Sequence, residues 1–283
     1  MNRSFLFAWL ILGVSTLLSA QTVADSLTIV HTPWKVSTLR EGMVCKQAEI
    51  PSLYGVPQHI TFLEIDPSGY KLGIEPSFPK AETSVTARNC GAVAAINGSY
   101  FNVQEGTSVC YLKQQKAMKD TTTTSEFNLR VTGAVEIHKG KLSLIPWDKQ
   151  TEVSYKKKKR DVLASGPLLV YKSEVCDFSG CGKGFVETKH PRSAIARTAS
   201  GKILLLTVDG RFPGQAEGIS IPELAHLLRV LGATAALNLD GGGSSTLWSS
   251  EAPDNGVLNK LCDNKKYDNE GERKVANAIC VFP

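Results

Sequence analysis

The chain has 283 residues, 42% of them hydrophobic, and a formal net charge of +5. That is enough for one large domain with a substantial core, and the charge is modest. The one dense basic tract, Lys156-Lys157-Lys158-Lys159-Arg160, has no aromatic interleaving beyond Tyr155; it reads as a solvated loop, and no nucleic-acid partner is expected.

Residues 1–24 read as a secretory signal. Arg3 gives the positive start, Phe5 to Leu18 is apolar, and small residues near Ala20 and Ala24 offer cleavage points. The apolar run is shorter than the roughly 20 residues a membrane span needs, leaving an uncleaved anchor as the alternative. The mature chain is therefore expected to be secreted or periplasmic, without stable membrane insertion.

Residues 25–87 alternate apolar and polar residues in short runs, as a β-rich part of the domain. Within them Ile60–Ile65 and Tyr70–Ile74 flank Asp66-Pro67-Ser68-Gly69, a hairpin pattern. Residues 91–97 are small and apolar, a strand buried on both faces that runs into Gly98-Ser99-Tyr100-Phe101. Leu129–His138 and Lys141–Ile145 form a second hairpin pattern around Lys139-Gly140. The seven cysteines of an exported chain point to disulfides: Cys176 with Cys181 across a turn-like spacer, and by proximity Cys90 with Cys110 and Cys262 with Cys280. Their spacing does not suit zinc.

The pattern is clearest in the last third. Arg192–Thr198 alternates, Ala199–Lys202 turns, and Ile203–Val208 is a buried strand ending in Asp209-Gly210-Arg211. Ser220, Pro222 and Glu223 mark a capped helix start, Leu224, Leu227, Leu228 and Leu231 its apolar stripe, and Gly232 its end. The next strand ends in Asn238-Leu239-Asp240, and Gly241-Gly242-Gly243-Ser244-Ser245 follows at once. These elements suggest an α+β fold, a mixed twisted β-sheet core with a few packed helices, as a single catalytic domain. If the two strands are parallel neighbours, Asp209 and Asp240 share one sheet edge, where ligands of such sheets gather. Three consecutive glycines cost backbone entropy that a plain turn does not require, and their N–H groups suit an anion. A simple turn remains the alternative for both acids.

Several segments in order resemble the phosphodiester glycosidase family. They are Asn97-Gly98-Ser99-Tyr100-Phe101, Gly166-Pro167-Leu168-Leu169-Val170, His190-Pro191-Arg192-Ser193, Thr207-Val208-Asp209-Gly210-Arg211, Asn238 to Ser245, and Asn259 with Glu272-Arg273-Lys274-Val275-Ala276-Asn277-Ala278. The resemblance covers residues 88–283. Ser193 stands where threonine is usual, and Gln215-Ala216-Glu217-Gly218 departs from the commoner small-residue version.

The resemblance implies hydrolysis of a sugar 1-phosphodiester, with an N-acetylglucosamine-like sugar or envelope glycan as substrate. Phosphate is already a good leaving group, so the site needs a carboxylate and an anion cradle more than a strong acid. Asp240 and Asp209 are the candidates for base or nucleophile. Arg192, Arg211 and Arg273 suit phosphate, because guanidinium meets it bidentately. Gly241, Gly242, Gly243, Ser244 and Ser245 are candidates for the cradle, and Asn97, Tyr100 and Asn238 for further substrate contacts. Tyr100 and Phe101 read equally as core. His190 is an acid candidate or a turn residue, and Glu223 belongs to the helix cap. No cofactor is expected, although two acids holding a divalent ion would make a phosphodiesterase instead. A binding module for anionic exopolysaccharide is the non-catalytic alternative.

Overall fold

The computed structural model describes residues 22–283. The signal segment lies outside the described residues up to Gln21. Ala24, its last candidate cleavage point, falls in the first turn of helix α1 (Val23–His31), where Thr22 and Asp25 close a reciprocal capping box.

Strands β1 (Lys35–Arg40), β2 (Met43–Leu53) and β3 (Val56–Ile65) form an antiparallel meander. The β2–β3 turn is Tyr54-Gly55, with φ of 56° and 78°. Two-residue hairpins need positive φ at both positions to match strand twist. Then come β4 (Lys71–Ala81), α2 (Thr83–Cys90) and β5 (Ala94–Asn97), followed by β6 (Leu112–Gln114), β7 (Ala117–Asp120), α3 (Thr124–Leu129), β8 (Gly133–His138), β9 (Lys141–Pro146), α4 (Lys149–Ser154) and β10 (Asp161–Ser165). The last third holds β11 (Leu168–Tyr171), β12 (Glu174–Val175), α5 (Lys183–Glu187), β13 (Arg192–Thr198), β14 (Ile203–Val208), α6 (Ile221–Val230) and β15 (Ala233–Asn238). A short 3₁₀ turn (Gly242–Ser244), β16 (Leu247–Ser249) and β17 (Val275–Phe282) complete it.

The strands make three antiparallel sheets among the described residues: β1-β2-β3-β14-β13-β15-β11-β12, β7-β6-β10-β8-β9, and β16-β5-β17-β4. The fold is α+β, as the sequence suggested. One face of the large sheet, with Leu63, Leu205, Ile195 and Leu237, packs against the two smaller sheets through Val135, Leu163, Ile96 and Ile279. The other face, with Phe62, Leu204, Leu206 and Ala196, is covered by Leu224, Leu227 and Leu228 of α6 and Ile29 of α1. Ile203–Val208 is apolar at every position but Thr207 because both of its faces are buried.

Three local expectations change. The segments around Asp66–Gly69 do not pair with each other: β2 and β14 occupy both edges of β3, and β4 crosses to pair with β17. The hairpin at Lys139-Gly140 does form, but its first strand starts at Gly133 because α3 occupies the residues up to Leu129. β14 and β15 are not neighbours, since β13 lies between them, antiparallel to both. They run parallel at one strand's remove. Asp209 and Asp240 therefore leave the same edge, on either side of His190-Pro191-Arg192.

All seven cysteines are free thiols. Cys110 is buried with Tyr100 and Tyr111, and Cys262 meets Arg211, so neither partner guessed from proximity is in place. Cys90 packs instead beside Cys280. The basic tract is a loop, knitted by Lys113, whose Nζ donates to the carbonyls of Lys157, Lys158 and Arg160, and by Glu136, which takes Lys157 and Arg160.

Candidate active site

Asp240 is held by its backbone. Its N–H donates to Gly98 O at 2.9 Å and its carbonyl accepts from Asn97 Nδ2 at 2.6 Å. Asn97 is fully buried at the end of β5, and its Oδ1 accepts from Ser193 Oγ at 2.7 Å and Thr246 N at 3.1 Å. The β5 end, the β13 start and the glycine turn are thereby tied at one amide, which makes Asn97 a positioning group.

Burial pushes the Asp240 carboxyl above its usual range, while the Ser244 hydroxyl, the Arg130 and Arg273 guanidiniums and the Gly241 N–H pull it back. Ser245 Oγ, Thr246 Oγ1, Asn238 Oδ1 and His190 Nδ1 are buried without a hydrogen-bond partner among the described residues. Buried polar atoms are nearly always paired, so such a cluster beside a carboxylate marks a place built to receive polar groups. Burial and the nearby Arg192 and Arg211 hold His190 below the usual histidine range.

The glycines are required first by space. A Cβ on Gly241 would lie 2.5 Å from Pro191 O, one on Gly242 2.9 Å from the Arg211 guanidinium, and one on Gly243 2.4 Å from that of Arg273. Gly242 also has φ of 62°. As an anion cradle the turn is narrower than expected. The N–H groups of Gly242, Ser244 and Ser245 already donate to Pro191 O, Gly241 O and Gly242 O. The glycines thus act chiefly by letting two guanidiniums lie against the backbone.

The structure separates the three candidate arginines. Arg192 is 2% exposed, and its guanidinium donates to the carbonyls of Ile219, Phe185 and Thr188 at 2.9–3.1 Å while stacking on Phe185. Burial lowers its pKa to about 10. Those bonds commit Nε and Nη2 and make Arg192 an anchor for the sheet edge, while Nη1 has no hydrogen bond among the described residues. Arg273 pairs with Asp263 at 2.5 Å beside Gly243. Arg211 is exposed, carries φ of 67°, lies over Gly242, and among the described residues its guanidinium makes one hydrogen bond, to Cys262 Sγ at 3.9 Å. A non-glycine residue in that conformation is strained, and such strain gathers at functional sites.

Tyr100, Asn238 and Asp209 are committed in a similar way. Tyr100 OH donates to Gly166 O at 2.5 Å and accepts from Asn238 Nδ2 at 2.8 Å, so the Tyr100 hydroxyl and the Asn238 amide nitrogen brace the site from behind. The Asp209 side chain is completely buried. It meets His59 Nδ1 at 2.5 Å and accepts from Lys260 N at 2.9 Å and Asn259 Nδ2 at 3.3 Å. It has no open face for a substrate, whereas Asp240 is only half-buried.

Arg130 and His59, unmarked in the sequence, also reach this edge of the fold. Arg130 lies 3.5 Å above the Tyr100 ring, gripped by Glu126 at 2.7 and 3.0 Å, and its charge acts on Asp240. Neither residue sits in a motif or at a telling spacing; only the sheet topology brings them to this edge. Among the described residues no three His, Cys, Asp or Glu side chains converge as metal ligands.

Against known proteins, a family model described as phosphodiester glycosidase matches residues 90–282. The N-acetylglucosamine-1-phosphodiester alpha-N-acetylglucosaminidase of Bos taurus is 25% identical over 258 residues, 80% of this chain and 45% of that protein. The Homo sapiens protein of the same name is 29% identical over 127 residues, 42% of this chain and 23% of that one. The chain thus spans less than half the length of these relatives. The zebrafish catalytic domain of that enzyme, auto-inhibited by its pro-peptide, superposes with a TM-score of 0.66 at 19% identity, over 88% of this chain and 87% of that one. A hypothetical protein from Synechocystis gives a TM-score of 0.64 at 18% identity, over 88% and 64%. These two likenesses establish the fold.

Proposed function

The chain belongs to the phosphodiester glycosidase family, and from that premise we propose that it hydrolyses the bond between sugar and phosphate in a sugar 1-phosphodiester, releasing the free sugar. The sugar is N-acetylglucosamine-like, as the names of the mammalian relatives suggest. The observation that carries this reading is the Asp240 turn: one half-buried carboxylate within reach of the Arg130 and Arg273 charges, followed in the chain by the buried, unpartnered hydroxyls of Ser245 and Thr246. Arg211 and Arg273 take the phosphate, whose charge they stabilise as the bond breaks. Asp240 faces the anomeric carbon and stabilises its developing positive charge or attacks it. Arg130 sets the field around Asp240.

We place the enzyme outside the cytoplasm, secreted or periplasmic. The leader pattern of residues 1–24 supports this, and no described helix is long and apolar enough to cross a membrane. Purified protein incubated with uridine-diphosphate-N-acetylglucosamine and simple sugar 1-phosphodiesters should release free sugar, separable by mass. Asp240→Asn should lower that turnover by about 10²-fold or more, the scale on which such groups act. An unchanged rate in the Asp240→Asn protein would remove Asp240 from the mechanism. Sugar phosphate as product would indicate a phosphodiesterase, and ligand binding without turnover a polysaccharide-binding module.

A further inference from the structure

His59 lies on β3, in register with Glu49 of β2, and its backbone carbonyl accepts from the Asp209 N–H. Its Nδ1 meets the Asp209 carboxylate at 2.5 Å, and that carboxylate is held in turn by Lys260 N–H and Asn259 Nδ2. A fixed carboxylate at Nδ1 makes this the protonated nitrogen of the neutral ring and leaves the lone pair on Nε2. Nε2 has no protein partner among the described residues and is not closed off from solvent. The imidazole lines an open cavity of about 660 Å³ together with Gln47, Glu49, Asn255, Lys260 and Asn269. Tyr267 packs edge-on against the ring at 6.2 Å between centroids.

A purely structural reading leaves this arrangement unexplained. Burying a carboxylate costs free energy that an apolar pair of the same shape would avoid. The imidazole is also hydrogen-bonded through one nitrogen only, and His59 lines a cavity wide enough for a ligand. Two links join the pair to the Asp240 turn. Asn259 Nδ2 bonds both Asp209 Oδ1 and Ser245 O, and Arg211, two residues beyond Asp209, lies over Gly242.

We propose that His59 is a catalytic proton acceptor facing the substrate, with Asp209 as its positioning residue. The inference rests on the hydrolase reading above. Nε2 takes a proton from water as the water oxygen bonds to the anomeric carbon. The bond from that carbon to the phosphate oxygen breaks, its electron pair stays on the phosphate, and the proton later passes from Nε2 to solvent. Asp209, Lys35, Glu49, Asp254, Lys260, Tyr267, Asp268 and Glu270 are the charged or titratable groups around the ring and its cavity.

The test uses the full chain with a sugar 1-phosphodiester across pH. His59→Gln should lower kcat by about 10²- to 10⁴-fold without loss of fold. It should also flatten the acidic limb of the kcat/KM profile, and added imidazole should restore part of the rate of His59→Ala. Asp209→Asn should lower kcat and shift that limb while leaving KM within a few-fold. A folded His59→Gln protein with the wild-type rate and pH profile overturns the proposal. If the variants do not fold, ¹⁵N resonances of the wild-type imidazole decide: N-acetylglucosamine 1-phosphate should move the Nε2 signal, and an unmoved signal overturns the assignment. A wild type that turns over no diester overturns the hydrolase reading and the proton-acceptor role with it; the Nε2 signal then shows separately whether His59 meets the ligand.

Discussion

Arg192, Arg211 and Arg273 look alike in the sequence, each inside a motif, and only their surroundings divide the labour. Arg192 points inward to three carbonyls, so its loss should act on stability before catalysis. Arg192→Ala should cost about 3 kcal/mol or more, since each buried carbonyl left unpaired costs roughly 1–3 kcal/mol, read from denaturant midpoints. Asp240 is the converse case. Because folding raises its pKa, the folded protein holds this proton more tightly than the unfolded chain, and stability falls as pH rises from 3.8 through the raised value. Asp240→Asn removes that loss. Its melting temperature at pH 7 should equal or exceed that of the wild type, with the gap closing as pH falls below 3.8. A less stable Asn variant at pH 7 would mean that the carboxylate is held by more favourable contacts than those described.

Among the elements, what was local in sequence was legible and what depended on pairing was not. The α6 start could be read because a capping box is written within four residues: Ser220 Oγ accepts from Glu223 N, and the Glu223 carboxylate accepts from Ser220 N. Ser220→Ala should cost about 1 kcal/mol and leave turnover unchanged, because α6 packs on the sheet face rather than the site. The β13 insertion between β14 and β15, and the crossing of β4 to β17, leave no such mark, since both are settled by which sheet edge is free. The glycine turn stands between these cases. Its importance was visible, yet its N–H groups proved largely committed. Gly242→Ala tests the steric role: a Cβ at φ 62° against the Arg211 guanidinium should cost about 1 kcal/mol and raise KM for the diester several-fold. An unaltered KM would free Arg211 from the phosphate role.

For the whole molecule, the family motifs begin near residue 90, yet the large sheet does not. β3 pairs with β14 from Ile60↔Val208 to Ile65↔Ile203, and Phe62 and Leu63 enter the cores on its two faces. A chain starting at residue 88 should therefore fail to fold, and it would also lack His59; a soluble, cooperatively melting truncate would contradict this. His59 went unread in the sequence for the same reason, because its partner Asp209 lies 150 residues away. On the proposed reaction the chain breaks the carbon–oxygen bond of a sugar 1-phosphodiester at the Asp240 turn. Hydrolysis in ¹⁸O-water should put the label on C1 of the released sugar and none on the phosphate, with release slowed by about 10²-fold or more in Asp240→Asn. Label on the phosphate would contradict it.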